Sequence, residues 1–261
     1  MDSSEHHNGE IRRYYDALHR AWGPQHWWPA ETRFEVICGA YLTQNTSWNN
    51  VERALENLRA AKALNVEGIR EMRLPRLQRL IRPSGYFRQK AQRLKMFIAF
   101  LDQRYNGSLD RMFAGNTEKL RAELLELNGV GPETADSILL YAGNHPVFVV
   151  DTYTRRILSR HGIAPETSDY EEIRALFQTA LEPVAHKLTD DRRESIPDLE
   201  SGISGAAHPP SAMSRSKRAP VVQIYNEMHG LIVGVGKNFC GKSQAKCDGC
   251  PLQPLLPGGK E

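Results

Sequence analysis

The chain has 261 residues, 40% of them hydrophobic and 25% charged, and its 34 basic and 31 acidic side chains leave a formal net charge of +3. That length can bury one large core or two modest ones, and so small a net charge leaves any nucleic-acid binding to local arrangement. No apolar run reaches the length of a membrane span, and the opening MDSSEHHNGE carries no apolar signal core, so a cytoplasmic protein is expected.

Segments with helical spacing dominate the chain. Near the N-terminus, HWWPAETRF carries two adjacent tryptophans, Trp27 and Trp28. RFEVICGAYL then continues into TSWNNVERALENLRAA, where apolar residues recur every three or four positions. YFRQKAQRLKMFIAFLDQRY and TEKLRAELLEL behave in the same way, separated by the short breaks RPSG, NGS and AGNT. Thr117 is the expected N-cap of the second of these. No alternating pattern persists long enough to build a sheet, so the expected fold is all-α.

TEKLRAELLELNGVGPETADSILLYA reads as helix, tight turn, helix. Gly129 and Gly131 admit positive φ and close approach of another backbone. Pro132 suits the first turn of the second helix, where its missing N–H costs nothing. The remaining N–H groups of that turn, with the helix dipole, make an anion site suited to a phosphate. Such a grip holds the DNA backbone without reading its bases, although an ordinary turn between two helices fits the same residues.

Next, HPVFVVDTYTRRI places Asp151 after an apolar run and at the start of another helix, where an aspartate is a good N-cap. Residues 190–220 are rich in Ser, Pro, Gly and Ala with few large apolar side chains, so a flexible insertion is expected there. Its basic end, SRSKRAP, suits either a DNA contact or a solvated linker. Helical texture returns at VVQIYNEMHGLIVGVG, directly before Lys237. Of the four cysteines, Cys38 lies in an apolar helical stretch, while Cys240, Cys247 and Cys250 are spaced C-x6-C-x2-C near the C-terminus. In a reducing compartment that crowding points to a metal rather than to disulfides.

LxGVGxxTA followed by VDTYxxRI resembles the helix-hairpin-helix DNA glycosylases of the endonuclease III superfamily, over residues 33–163 and again from Gln223 onward. The resemblance implies two helical domains with a cleft between them for DNA. One would be a helical barrel, 33–145, with the wedge and hairpin motifs. The other would be 1–32 plus 146–261, with a Cys-rich C-terminal loop and the insertion at 190–220. WWP, LTQNTxW, RPSGYFRQKAxRL and ADSILLYA are similar to the 3-methyladenine DNA glycosylase III branch.

In bifunctional members of the superfamily, a lysine two residues after the second hairpin glycine forms a Schiff base that permits strand cleavage. Here that position is Glu133, which cannot make an imine and complements the helix dipole instead. The resemblance therefore implies a monofunctional glycosylase of base excision repair, hydrolysing the bond to alkylated purines such as 3-methyladenine. Asp151 matches the aspartate that stabilises positive charge on the sugar or orients water, and capping a helix is compatible with that task. Gln44 matches a glutamine that fills the gap left by an extruded nucleotide, and Tyr86 takes the place of a second wedge. Gly129, Val130 and Gly131 would hold the phosphate backbone.

Trp27, Trp28 and Trp48 form the candidate substrate pocket, since aromatic faces attract a cationic base, with core packing as the alternative for each. Lys237 matches a basic residue near the branch's pocket, or is simply an exposed lysine. Cys240, Cys247 and Cys250 match the first three ligands of a [4Fe–4S] motif whose fourth position is Leu256. A cluster with a non-cysteine ligand, a zinc site completed by a histidine, and no metal all stay open. The expected partner is double-stranded DNA containing a damaged base, met by a monomer at the nucleoid. The rival readings are a glycosylase for oxidised pyrimidines or mismatched thymine, and a catalytically silent module that binds damaged DNA.

Overall fold

The computed structural model describes residues 3–190 and 208–258. The fold is all-α: the described residues contain no strand, only an isolated bridge between Cys240 and Ala245. Among them no helix is long and apolar enough to cross a membrane. Most of the expected insertion, residues 191–207, lies outside the described residues. The chain divides into two compact units, Ala30–His145 and Met1–Pro29 with Pro146–Glu261.

Helix α1 (Ser3–Trp22) buries Ile11, Tyr14, Tyr15 and Leu18, the three- and four-residue spacing of one helical face. The unit 30–145 is built around α2 (Arg33–Leu42), which starts where the Thr32 side chain accepts the Glu35 N–H at 3.1 Å. It is buried from Phe34 to Leu42. Around it run α3 (Trp48–Ala60), α4 (Val66–Glu71), α5 (Leu74–Leu80), a 3-10 turn at Arg82–Ser84, α6 (Phe87–Tyr105), α7 (Leu109–Phe113), α8 (Thr117–Leu125) and α9 (Pro132–Ser137).

Thr117 is not the cap of α8. Asn116 takes that role, accepting the Lys119 N–H at 3.1 Å, and the Thr117 hydroxyl lies instead 2.8 Å from His145 Nδ1. Asparagine caps at least as well as threonine, so moving the helix start back by one residue costs nothing. After its first turns, α9 passes into a single π turn, Ile138–Ala142, which is buried and packs on α2. Arg121 of α8 clasps Asp136 of α9 through two hydrogen bonds of 2.6 and 3.1 Å, a buried pair that fixes the two arms of the hairpin.

The other unit contains α1, α10 (Thr152–Arg160), α11 (Tyr170–Asp190) and α12 (Pro220–Asn238). The apolar run Val147–Val150 leads into α10 and is buried, and Phe148 stacks on Phe177 of α11 with ring centroids 4.2 Å apart. Helix α12 is buried from Ile224 to Gly236 because α1, α10 and α11 all pack on it. The described end of the 190–220 segment packs too. Ser211 and Met213 are buried, and the His208 N–H donates to the Gln25 carbonyl at 3.3 Å.

Candidate active site

Asp151 is the N-cap of α10, and its Oδ1 accepts hydrogen bonds from the Thr154 N–H at 2.8 Å and the Thr154 hydroxyl at 2.9 Å. Its other oxygen, Oδ2, lies 3.6 Å from His229 Nε2, an electrostatic contact longer than a formed hydrogen bond. Burial pushes the Asp151 carboxyl up, but His229 and the two Thr154 donors outweigh it, and the group sits below the ordinary carboxylate range. Capping thus uses one oxygen and leaves the other directed at His229. The helix start and the charge are one device.

His229 comes from α12, and its ring meets Trp27 edge-on at 6.2 Å and Phe148 edge-on at 6.3 Å. Gly230 explains how Trp27 comes so near. A Cβ there would stand 3.0 Å from the Trp27 Cβ and 3.1 Å from that of Gln25. Gly236 does the same for α10, since a Cβ there would be 2.1 Å from Tyr153 Cδ1. About two turns beyond His229, the exposed Lys237 holds its Nζ 5.8 Å from the Trp27 ring centroid, within cation–π range. Trp27 and Trp28 are both buried, and their rings meet edge-on at 5.6 Å. Asp151, His229, Trp27 and Lys237 are therefore linked within one unit.

The remaining predicted pocket and DNA-binding positions lie in the unit 30–145. Gly129 has φ +77, and a Cβ there would strike Arg93 Nε at 2.0 Å. Gly131 differs from expectation: it is the extended N-cap of α9 with φ −94, and a Cβ there would meet nothing within 4 Å. Val130 is buried between them, its N–H donating to the Leu127 carbonyl at 3.0 Å. Pro132 and the exposed Glu133 occupy the first turn of α9.

Gln44 is bonded to this hairpin. Its amide nitrogen donates to the Gly129 carbonyl at 2.9 Å and the Thr134 hydroxyl at 3.0 Å, while its oxygen accepts from Arg93 at 2.7 Å. Tyr86 is 66% exposed in a left-handed conformation, φ 42, at the N-cap of α6. Trp48 opens α3 half-buried, its indole N–H donating to Glu52 at 2.8 Å.

In the tail, Cys240 is buried and its sulfur accepts from Arg160 at 3.1 Å, while Arg156 and Arg160 bind the carbonyls of Cys240 and Gly241, each at 2.9 Å. Among the described residues no group of three or more His, Cys, Asp or Glu side chains is placed to hold a metal. Three thiols with Leu256 in the fourth position do not fit a four-thiolate cluster.

Two residues escaped the reading of the sequence. His229 stood on an apolar helix face with nothing to mark it beyond the glycines that follow, which are the trace of Trp27 and Tyr153 packing against that helix. Arg93 lay on the periodic helix α6, where a basic residue reads as a solvated face.

Residues 38–183 match the family described as HhH-GPD superfamily base excision DNA repair protein. A protein of Methanocaldococcus jannaschii named as a DNA repair glycosylase is 42% identical, over 93% of this chain and 94% of that one. Among solved structures, the H. pylori 3-methyladenine DNA glycosylase bound to 1,N6-ethenoadenine is 29% identical, with a TM-score of 0.64 over 91% of this chain and 98% of that one. An endonuclease III in non-covalent complex with DNA shares the fold, with 20% identity and a TM-score of 0.69 over 97% of this chain and 96% of that one.

Proposed function

This chain belongs to the HhH-GPD superfamily of base excision DNA repair proteins, and on that premise we propose that it is a monofunctional glycosylase for alkylated purines such as 3-methyladenine. The observation that carries the reading is Asp151: a buried carboxylate kept ionised beside His229, in a chain whose hairpin offers Glu133 where a Schiff base needs an amine. An acid at that position leaves hydrolysis as the chemistry.

In the proposed reaction the bond between the sugar carbon and the base nitrogen breaks, and its electron pair leaves with the base. An alkylated purine is cationic while bound to the sugar and departs neutral, so it needs no proton from the protein. Positive charge grows on the sugar, where the Asp151 carboxylate stabilises it. Water then bonds to the sugar carbon and gives up its proton to the Asp151–His229 pair. The similarity to the H. pylori 3-methyladenine enzyme supports the choice of base. In the unit with Asp151, Trp27 and Trp28 are proposed as pocket aromatics; in the unit 30–145, Trp48 is proposed as a base contact, Gln44 and Tyr86 as wedges, and Gly129, Val130 and Gly131 as the phosphate grip.

A monomer acting on damaged duplex DNA is the proposed functional form. The tail cysteines are read as remnants of an iron–sulfur motif, and no step of the reaction passes through them. Their spacing supports metal ancestry, while Leu256 argues against a full four-thiolate set.

The test is release of free bases from methylated duplex DNA, with borohydride added to a parallel reaction. Methylpurine released without a trapped covalent adduct is the expected outcome. A trapped adduct would restore the lyase reading. Release of oxidised pyrimidines or mismatched thymine in place of methylpurine would move the substrate class, and binding without any release would make the chain a damage-recognition module.

A further inference from the structure

Lys90, in the first turns of α6, is among the most deeply buried side chains of the described structure, 1% exposed. Its ammonium donates to the Leu42 carbonyl at 2.8 Å and to the Ser84 carbonyl at 2.7 Å. Burying an ammonium on neutral partners is costly, and an apolar side chain would fill the same space without that cost. Burial first, and then the nearby Arg93, lower its pKa to about 8, as expected of a charge kept against its preference for water.

The two carbonyls share a location that explains the cost. Leu42 is the last residue of α2, two before Gln44. Ser84 closes the 3-10 turn, two before Tyr86. A cation suits the C-terminal carbonyls of a helix, so Lys90 caps α2 and clasps the second loop with the same group. Helix α6 reaches both wedges by further bonds. The Lys90 N–H donates to the Tyr86 carbonyl at 3.0 Å, and Arg93, one turn on, donates to Gln44 Oε1 at 2.7 Å. Tyr86 is thereby held with its ring exposed and its backbone left-handed, a conformation that costs energy unless its surroundings enforce it.

We propose that Lys90 is a positioning residue for nucleotide extrusion, holding the Gln44 and Tyr86 loops in one register so that both side chains enter the duplex together. This rests on the wedge roles proposed above. Base flipping must open and refill the stack within one motion, and two plugs set at independent heights would leave part of the gap unfilled.

The experiment uses the full chain and a duplex with 2-aminopurine beside an abasic-site analogue, whose fluorescence reports unstacking without any base release. Lys90→Met and the polar Lys90→Gln are compared with wild type, with folding checked by circular dichroism. Slower opening by a factor on the order of ten to a hundred is expected in Lys90→Met. Excision should fall by a similar factor from a paired site yet stay near wild type when the target nucleotide lies in an unpaired bulge. In a Gln44→Ala, Tyr86→Ala background, Lys90→Met should change opening by less than about twofold, since its partners are already gone.

Wild-type opening in Lys90→Met, equal losses on paired and bulged targets, or full additivity with the wedge variants would overturn the proposal. So would unfolding of both Lys90 variants, which would make the ammonium a core element. If wild type opens the duplex but releases no methylpurine, the substrate reading fails and the role of Lys90 stands. Gln44→Ala and Tyr86→Ala that open as fast as wild type would remove the wedge reading and this proposal with it.

Discussion

In the proposed reaction, Asp151 makes a single side chain serve fold and chemistry together. Its Oδ1 satisfies the start of α10 through Thr154, and its Oδ2 faces His229 at 3.6 Å. Asp151→Asn keeps a cap oxygen and removes the charge, so turnover should fall on the order of 10²–10³-fold. DNA affinity, read by fluorescence anisotropy, should stay unchanged. For the proposed reaction, the depressed pKa predicts the acid limb: the carboxylate is ionised above its folded pKa, so turnover is expected to persist through mildly acidic pH and to be lost only below the ordinary carboxylate range. Replacing His229 by Gln removes one of the influences that lower that pKa, so the acid limb of kcat against pH should move to higher pH. An unmoved limb would mean that Thr154 alone keeps Asp151 charged. Asp151 was legible from its place between an apolar run and a helix. His229 was not, because its partners lie at sequence distances that no periodicity reports.

At the scale of elements, the hairpin and the tail behave differently. The turn between α8 and α9 follows from its residues: Gly129 takes the left-handed conformation, Pro132 opens the second helix, and Arg121 locks to Asp136. What the letters could not give is the load on Gly129, whose missing side chain makes room for Arg93. Gly131 does not take the positive φ expected of it, for a local reason: it is the extended N-cap of α9, a backbone open to any residue. In the tail, Arg156 and Arg160 of α10 hold the backbone at Cys240 and Gly241. Supplying the missing thiol tests whether ligand number limits metal binding there. Leu256→Cys, purified without oxygen, is expected to carry more iron and sulfide than the parent chain, with stronger absorption in the blue. Equal content in both would show that the fourth position is not what limits the site.

The molecule as a whole carries a net charge of only +3, so attraction for DNA must come from a few placed groups. Affinity for undamaged duplex should fall as salt rises, with a log–log slope of about −0.9 for each phosphate engaged. A slope near zero, measured by anisotropy titrations at several salt concentrations, would remove phosphate gripping from the proposed function. The helical class, the hairpin, the position of Asp151 and the loss of the lysine were determined by the sequence alone. Each depends on near neighbours in the chain: periodicity, turn chemistry, capping, or the identity of one residue in a motif. Only the tertiary structure decided that His229 meets Asp151, that glycines of α12 seat Trp27 and Tyr153, and that Lys90 binds two loops at once. Those contacts arise where segments remote in sequence pack together, and the physics that selects them is the fit of side chains across helices and the pairing of buried polar groups.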